Sequence, residues 1–501
     1  MDTPTRPTTK VASAVPELLS APHLVDVAVP GMEGLARWLA GRGADVTGSV
    51  PPTSQDSPVV AGLRAAGVKV EVGFEAGHVR TDRTAVVWSG VLVGRHPELD
   101  RAQVLRLPVL GRALALAAVA AHPGHQVVAV GGSHSTATAA AALAAALDDG
   151  TTGWILNAAS RTGSVGHAGE GRLIVDFCPD TATHEAAPPG AWQHRPAPNY
   201  LDKHPQPAIA LITTTSANAP HHPDNIEGLN AAERLARTAA TVILPTWDRG
   251  SKILRERLGD RPGPRMVSVG LDQNDDVRIL VPRWTGDRYH ATLQHQGEQH
   301  PFVVPIAGRH HALAACAAIA TALVLGEDPQ AVADLARFDG VERSLATVGT
   351  HRQITVVDSR ARHPHEISED LTAARMLAED SVIAVLEPDG VARTAAHAAE
   401  LGAAIGHADH VVLLPVSTPL TTLYADDPLD AVEQVARQAL GTDAVHRIRS
   451  SPGEPCAEQQ IAALTTPGDL VLVIGTDQAR RIGPRLLFHL AAPNAPIPHQ
   501  L

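Results

Sequence analysis

Residues 131–138 read GGSHSTAT, follow the apolar run QVVAV and precede an alanine-rich stretch. An apolar strand, a turn of small residues and a helix N-terminus, in that order, present backbone amides and a helix dipole to an anion. A phosphate-binding loop of this kind also supplies a lysine to the outer phosphates and a hydroxyl to magnesium. Thr136 and Ala137 stand at those two positions. The sequence therefore predicts a phosphate-binding turn without its usual cation, made of Gly131, Gly132, Ser133, His134, Ser135, Thr136 and Thr138.

Two further groups of polar residues could do chemistry, and each has two interpretations. The segment around ANAPHHPDN is either a metal site or a solvated loop, and its candidate ligands are His204, His221, His222 and Asp224. The segment RARHPHE at 360–366 is a small cationic cluster that either docks an anion or forms an exposed basic loop; its members are Arg360, Arg362, His363 and His365.

Apolar runs separated by helical stretches must position these groups. LVDVAVP followed by MEGLARWLAGRG is one strand–helix unit, and the pattern recurs along the chain. Because strands that alternate with helices form parallel sheets, the predicted fold class is α/β. Strands at hairpin spacing are predicted over 276–305, then a long buried helix in GRHHALAACAAIATALVLGE. The pattern predicts a disordered tail over 1–20 and domains over 21–122, 123–345 and 346–501, the last with four strands in ITVVDS, SVIAVLEP, HVVLLPV and DLVLVIGT.

Composition limits the function classes. The 501-residue chain has 44% hydrophobic and 19% charged residues, which is typical of a folded globular protein. Its formal net charge of -12 argues against sequence-independent binding of nucleic acid, because such binding needs a basic protein surface. No segment is suited to cross a bilayer, and three dispersed cysteines form no disulfide framework. We therefore expect a cytoplasmic protein that binds neither nucleic acid nor membrane.

Five stretches, far apart in the chain, carry a family resemblance: GMEGLARWLAGRGADVTGS, GRHHALAACAAIATALVLG, FDGVERSLATVG, VVDSRARHPHEI and LEPDGVART. In the order and content of these stretches the chain resembles the Mur ligase family, and is most similar to its UDP-N-acetylmuramate–L-alanine ligase branch. The resemblance implies three domains: a Rossmann-like UDP-sugar-binding domain, a P-loop-derived ATP-binding domain and a Rossmann-like amino-acid-binding domain. It also implies ATP- and Mg²⁺-dependent amide formation through an acyl phosphate, in peptidoglycan biosynthesis.

The resemblance also assigns roles to residues at matching positions, although it leaves the catalytic residues unassigned. Asp176 is the implied magnesium ligand. Beyond the turn at 131–138, the implied cofactor-binding residues are His310, Arg343 and Asp358. The implied substrate-binding residues are Gly31, Met32, Ser49, His363, Glu366, Arg393 and Thr394.

Polar positions in all three implied sites depart from the family pattern. In the central domain Thr136 replaces the phosphate lysine, Ala137 replaces the magnesium hydroxyl, and Asp176 replaces a longer glutamate. Other replaced positions are Val50, Cys178, Pro179, Asn218, Ala219, Ala314, Ser359, Arg360 and Arg362. Apolar strands and helices are kept, whereas charge placement is not.

Two interpretations follow from these departures. In the first, the chain is a catalytically impaired paralogue that binds a UDP-sugar or a nucleotide, or pairs with a cell-wall enzyme. In the second, it is an active ATP-dependent carboxylate–amine ligase, in which hydroxyls and backbone amides of the turn bind phosphate and an arginine supplies the missing charge.

Overall fold

The structure is a computed structural model, and it describes residues 15–29, 31–89, 96–158, 160–161, 163–177, 207–215, 223–259, 263–286, 288–329, 338–416, 427–448, 455–475 and 478–493. Its described strands form three sheets, of five, ten and six strands. The predicted α/β class is thereby confirmed. The sheets occupy residues 22–111, 126–304 and 346–474, and the proposed domain boundaries stay predictions.

The first sheet is parallel throughout, with strand order β3-β2-β1-β4-β5. Its strands are β1 (Pro22–Val25), β2 (Thr47–Val50), β3 (Lys69–Val72), β4 (Ala85–Trp88) and β5 (Val109–Gly111). Its helices are α1 (Met32–Gly41), α2 (Pro58–Ala65), α3 (Pro97–Val104) and α4 (Arg112–Ala121). Strand β4 reads AVVW and is buried along its length, as expected of a parallel strand covered on both faces.

The packed chain begins before residue 21. Val15 and Leu19 are 3% and 0% exposed and lie in the same core as Leu24. Since apolar side chains here are removed from water, residues 15–20 are ordered and the predicted disordered tail is too long at that end. Residues 1–14 lie outside the described part of the chain.

The central sheet has ten strands in the order β15-β14-β13-β12-β11-β10-β6-β9-β7-β8. They are β6 (Gln126–Gly131), β7 (Gly153–Ile155), β8 (Gly166–His167), β9 (Arg172–Asp176), β10 (Ile209–Ile212), β11 (Thr241–Pro245), β12 (Arg265–Gly270), β13 (Val277–Trp284), β14 (Tyr289–His295) and β15 (Glu298–Val304). The predicted hairpin strands over 276–305 are confirmed, because β13, β14 and β15 pair antiparallel. The helices are α5 (Thr136–Ala146), α6 (Pro223–Thr238), α7 (Arg249–Gly259) and α8 (Arg309–Val324).

Helices α5 and α8 pack against each other inside the central domain. Both are alanine-rich and apolar around their whole circumference, which is typical of enclosed helices. Ala140 of α5 and Ala315 of α8 are each fully buried. The predicted long buried helix is thus α8, and its packing fixes the first turns of both helices beside each other.

The third sheet has the order β16-β17-β21-β18-β19-β20, with β16 antiparallel and the other strands parallel. Its strands are β16 (Ala346–His351), β17 (Ile354–Ser359), β18 (Val382–Leu386), β19 (His410–Leu413), β20 (Val445–Arg447) and β21 (Leu470–Ile474). Its helices are α9 (Pro364–Leu377), α10 (Val391–Ala396), α11 (Ala398–Ile405), α12 (Leu429–Leu440), α13 (Ala457–Ala462) and α14 (Ala479–Ala491). The four predicted strands are β17, β18, β19 and β21, and β16 and β20 are additional edge strands.

The carboxyl ends of two parallel strands, one in each of the last two sheets, lead to the candidate site. Strand β6 ends at Gly131 and strand β17 ends at Ser359. Helix α8 of the central sheet contacts helix α9, which follows β17. Ligands of open α/β sheets bind outside the carboxyl ends of the strands, so this contact lies where a ligand site is expected. None of the described helices has the length and hydropathy of a membrane span.

Candidate functional site

The turn between β6 and α5 has the backbone shape of an anion-binding loop. Gly132 has a φ of 145°, and Ser135 is in the left-handed conformation, with a φ of 61°, directly before the first residue of α5. A non-glycine residue in that conformation costs roughly 1 kcal/mol. The predicted strand, turn and helix are therefore in place, and a serine holds a backbone position that suits glycine.

Hydrogen bonds tie this turn to the segment after strand β10. The amide of Ser133 donates to the Thr214 carbonyl at 2.6 Å. The carbonyl of His134 accepts from the hydroxyls of Thr213, at 2.7 Å, and Thr214, at 3.2 Å. The Ser133 amide thus already has an acceptor within the protein, which makes it less available to an incoming phosphate.

The first turn of α5 carries hydroxyls and no charge. Thr136, at the position implied for lysine, is 3% exposed. Thr138 is 1% exposed, and its Oγ1 lies 3.0 Å from Nδ1 of His311, in the first turn of α8. One of the two hydroxyls that flank the implied magnesium position, that of Thr138, is therefore engaged by a histidine of the neighbouring helix.

His134 lies at the centre of a group of histidines. Its side chain is 5% exposed, and its ring centroid is 5.1 Å from that of His365 and 6.1 Å from that of His363. The pKa of His134 lies well below its usual range. Burial is the main cause, and the nearby His363 and His365 lower the pKa further. The ring is neutral near pH 7, so His134 does not supply the positive charge that the turn lacks.

His310 and His311 open helix α8 and face helix α9. His310 Nε2 lies 3.0 Å from Asp370 Oδ1, and His311 Nε2 lies 3.6 Å from the same oxygen. The pKa of His310 is lowered mainly by burial and, to a smaller extent, by the neighbouring His311. Of the groups formed by described residues, the one with three ligating atoms close enough for a metal ion consists of His310, His311 and Asp370.

The predicted substrate residues His363 and Glu366 lie at the start of α9. His363 caps the helix, with its Nδ1 accepting from the His365 amide at 3.3 Å. Glu366 accepts from the Arg362 amide at 3.4 Å. The pKa of Glu366 is raised mainly by burial and, to a smaller extent, by the nearby Asp370. The structure thus brings the turn, His310, His363 and Glu366 into one region.

Asp176, the predicted magnesium ligand, ends strand β9 and is 1% exposed. Its Oδ2 accepts from the amide of Asn157 at 3.4 Å, and its carbonyl accepts from the Asn157 side chain at 3.5 Å. Arg360 crosses from the end of β17 to donate to the Asn157 carbonyl at 3.4 Å. An arginine of the third domain therefore reaches the neighbourhood of Asp176. Metal binding by Asp176 stays a prediction.

Two predicted cofactor residues bind each other. Arg343 donates from Nε to Asp358 Oδ2 at 2.7 Å and from Nη2 to Asp358 Oδ1 at 3.0 Å. The same Nη2 donates to the carbonyl of Gly475 at 2.7 Å. Arg343 therefore joins the segment before β16 to strand β17 and to the residue that follows β21.

The predicted substrate residues of the first domain face the interior. Met32 is fully buried in the core, and Ser49, also fully buried, donates to Glu98 at 2.7 Å. Gly31 has a φ of 82° and lies against the guanidinium of Arg112, which donates to Asn157. A side chain at position 31 would overlap both partners, so glycine is required there.

Arg393 and Thr394 belong to helix α10. Arg393 donates to Asp389 at 2.9 Å, and the Thr394 hydroxyl donates to the Gly390 carbonyl at 2.7 Å. Both contacts are local to the start of α10. The roles predicted for these residues, and for those of the first domain, stay predictions.

Other candidates fall outside the described part of the chain. These are His204, His221 and His222, and the side chain of Asp224 also lies outside the described part.

In the predicted cationic cluster, Arg362 lies 3.6 Å from Asp389. His311 and Asp370 are not among the site residues predicted from the sequence. Their signal was present, because His363, Glu366 and Asp370 recur at helical spacing on α9, and His311 adjoins His310.

Comparisons with known proteins agree with this architecture. The family model described as "Mur ligase family, catalytic domain" matches residues 23–123. The model described as "Mur ligase, glutamate ligase domain" matches residues 343–476. Among solved structures, the UDP-N-acetylmuramate–alanine ligase of Thermotoga maritima has a TM-score of 0.71 at 18% identity, covering 95% of this chain and 100% of that one. A murein peptide ligase of Psychrobacter arcticus has a TM-score of 0.66 at 18% identity, with the same coverage. These likenesses show the fold.

Relatives by sequence extend over nearly the whole chain. The UDP-N-acetylmuramate–L-alanine ligase of Streptomyces coelicolor is 32% identical over 499 residues, covering 96% of this chain and 100% of that protein. The ligase of the same name from Kineococcus radiotolerans is 32% identical over 485 residues, covering 94% of this chain and 96% of that protein. With this identity over this length, and with the three-sheet architecture, the chain belongs to the Mur ligase family.

Proposed function

We propose that this Mur ligase family protein, related to UDP-N-acetylmuramate–L-alanine ligase, is impaired in ATP-driven ligation and acts as a ligand-binding or interaction paralogue. The observation that carries the proposal is Thr136, which is buried and uncharged at the position implied for the phosphate lysine. Phosphoryl transfer depends on positioning and on neutralising the charge of the phosphates. Loss of one group that stabilises charge in the transition state lowers the rate about 100-fold or more.

Two neighbouring contacts and the charge state of one histidine support the same conclusion. The Ser133 amide donates to Thr214, the Thr138 hydroxyl pairs with His311, and the ring of His134 is neutral because burial lowers its pKa. Together they leave the turn with fewer amides, fewer hydroxyls and less positive charge than a triphosphate requires. The residues of the turn therefore fit Mg²⁺ and ATP poorly.

Calorimetric titration with ATP and Mg²⁺ tests this proposal. We expect no saturable binding up to about 1 mM ATP, the weak end of ordinary affinities. A triple variant, Ser135→Gly with Thr136→Lys and Ala137→Thr, restores the implied loop and should gain binding, whereas the uncharged control Thr136→Val should not. Binding by the wild-type protein with a Kd below about 10 μM would contradict the proposal.

The ligand of the paralogue is proposed from the family. Mur ligases act on UDP-muramyl substrates, and the family match at residues 23–123 covers the first domain. We propose a ligand of the UDP-sugar or nucleotide class, or a cell-wall enzyme as partner. Titration with UDP-N-acetylmuramate, with UDP alone as control, tests the first, and co-purification from native cells tests the second.

A second candidate, an active ATP-dependent carboxylate–amine ligase, is favoured by one observation. The Arg360 guanidinium reaches the Asn157 carbonyl beside Asp176, so an arginine is present near the implied magnesium position. Guanidinium groups bind phosphate in a bidentate manner. Release of phosphate on adding UDP-N-acetylmuramate, L-alanine and Mg-ATP, abolished by Arg360→Ala, would favour this candidate. Equal activity in that variant would count against a role for Arg360.

A further inference from the structure

Three side-chain atoms from two helices converge between the central and third domains. His310 Nε2 lies 3.0 Å from Asp370 Oδ1, and His311 Nε2 lies 3.6 Å from it. The three ligating atoms lie within 4.8 Å of one another. Ligands of a tetrahedral zinc ion, bound at about 2.0–2.1 Å, are separated from each other by roughly 3.3 Å. The two separations from Asp370 Oδ1 are close to that spacing.

These atoms are buried and lack ordinary partners. The side chains of His310, His311 and Asp370 are 8%, 3% and 2% exposed. Within the described residues, both Nε2 atoms and Asp370 Oδ1 make no contact with hydrogen-bond geometry, despite their proximity. Asp370 Oδ1 could accept from both rings if each carried a proton on Nε2, but neither contact has the geometry of a hydrogen bond. A metal ion satisfies all three atoms at once, which removes the cost of leaving polar atoms buried and unpaired.

Outer contacts orient two of the three ligands. His311 Nδ1 lies 3.0 Å from Thr138 Oγ1, and a proton on Nδ1 leaves the Nε2 lone pair directed at Asp370. Asp370 Oδ2 accepts from the Ser359 hydroxyl at 2.5 Å, so its Oδ1 faces the histidines. Ligating histidines almost always donate their other nitrogen in this way, and ligating carboxylates are themselves hydrogen-bonded.

We propose that His310, His311 and Asp370 form a binding site for a divalent transition-metal ion, best matched by Zn²⁺. Two imidazole nitrogens with one carboxylate oxygen suit zinc, whereas Mg²⁺ and Ca²⁺ are bound by oxygen ligands. The fourth position is left to water or to a ligand group. The site is separate from Asp176 and is independent of whether ligation persists.

The metal ion joins two domains. His310 and His311 belong to α8 of the central sheet, and Asp370 belongs to α9, which packs on the third sheet. Coordination therefore holds α9 against α8, and through Thr138 it also fixes the first turn of α5. Because the ion binds the folded chain, it raises the stability of this contact.

The test uses the full chain without an affinity tag, since a polyhistidine tag would bind the same metals. The protein is equilibrated with Zn²⁺ in excess Mg²⁺ and dialysed, and its metal content is measured by mass spectrometry. We expect about one zinc per chain, and Co²⁺ in its place should give the visible absorption of a four-coordinate site. Asp370→Asn and His311→Asn should lower the affinity by at least about tenfold. The exposed histidine variant His290→Asn is the matched control and should keep the metal.

Circular dichroism on each variant separates loss of metal from loss of folding, and the cobalt spectrum of the wild-type protein requires no variant. A wild-type chain that retains less than about 0.1 zinc per molecule after dialysis would overturn the proposal. Zinc retained equally by Asp370→Asn, His311→Asn and wild type would also overturn it, because the metal would then be bound elsewhere.

Discussion

The Thr138 hydroxyl and the His311 imidazole are 3.0 Å apart, so the turn that resembles a phosphate loop is joined to helix α8 through a buried hydrogen bond. Thr138 belongs to α5 and His311 to α8. The hydroxyl that follows the implied magnesium position thus serves the packing of two helices. The same contact supports the proposed loss of ligation and, separately, orients a ligand of the proposed metal site.

The first prediction concerns this hydrogen bond. Thr138→Val keeps the side-chain shape and removes the hydroxyl, so the free energy of unfolding should fall by about 1 kcal/mol. Zinc affinity should fall by about tenfold, because His311 loses the partner that fixes its orientation. Urea unfolding and metal titration measure the two effects. Thr321→Val is the control: its hydroxyl is buried on α8 and donates to Ala317, so stability should fall while zinc affinity is unchanged.

The second prediction concerns the bidentate pair of Arg343 and Asp358. Asp358→Asn weakens two charge-assisted hydrogen bonds, and the unfolding free energy should fall by about 2 kcal/mol. The control is Glu71→Gln, in the exposed pair with Arg80 at 3.8 Å. Since exposed ion pairs contribute little, that change should cost under about 0.5 kcal/mol in the same urea titration. Equal losses of unfolding free energy in the two variants would show that the Arg343–Asp358 pair contributes no more to stability than an exposed ion pair.

The third prediction concerns Gly31. Gly31→Ala forces a side chain into a backbone conformation with a φ of 82° and onto the Arg112 guanidinium. The expected loss in unfolding free energy is about 3 kcal/mol, from backbone strain and overpacking together. Gly67 has a φ of 89° and no neighbour within 4 Å of an added Cβ, so Gly67→Ala measures the backbone cost alone. That cost should be about 1 kcal/mol. A similar loss in both would mean that Arg112 moves aside freely.

The fourth prediction is a pH dependence from His96, which is 7% exposed and packs edge-on against Phe74. Burial lowers the pKa of His96, opposed by Glu98 and Asp100 and assisted by His23. The unfolded chain therefore binds this proton more tightly than the folded one. Stability from His96 is fully present above about pH 6.5 and decreases as the pH falls below that value.

Replacing this histidine removes its share of the pH dependence. His96→Phe should lose less stability between about pH 7 and pH 5 than the wild type in urea titrations. His290→Phe, at an exposed position, should leave the wild-type slope unchanged. An unchanged slope in His96→Phe would contradict the assignment.

The sequence predicted the interior of the fold better than its edges. Strand β21, LVLVI, is buried on both faces and reads as a continuous apolar run, so its pattern is unambiguous. Strands β16, ATVGTH, and β20, VHR, are short or mixed edge strands without that pattern, and both were missed. Val15 and Leu19 were missed because a Thr- and Pro-rich segment gives no periodic signal.

The candidate site was predicted in part for a similar reason. The turn at 131–138 is a local motif, and its strand, turn and helix could be predicted from neighbouring residues. The approach of His311 to Asp370 joins residues of two domains, and no local pattern contains that information. Arg343 and Asp358 were assigned to a cofactor by resemblance. Their mutual pairing follows from the β16–β17 hairpin, which the sequence did not reveal.

Phosphate release tests the central claim most directly. The wild-type protein would be given UDP-N-acetylmuramate, L-alanine and Mg-ATP, beside the Streptomyces coelicolor ligase under identical conditions. The proposed charge deficit of the turn predicts phosphate release below about 1% of the rate of that ligase. Release at a comparable rate, with one amide formed per phosphate, would contradict the account.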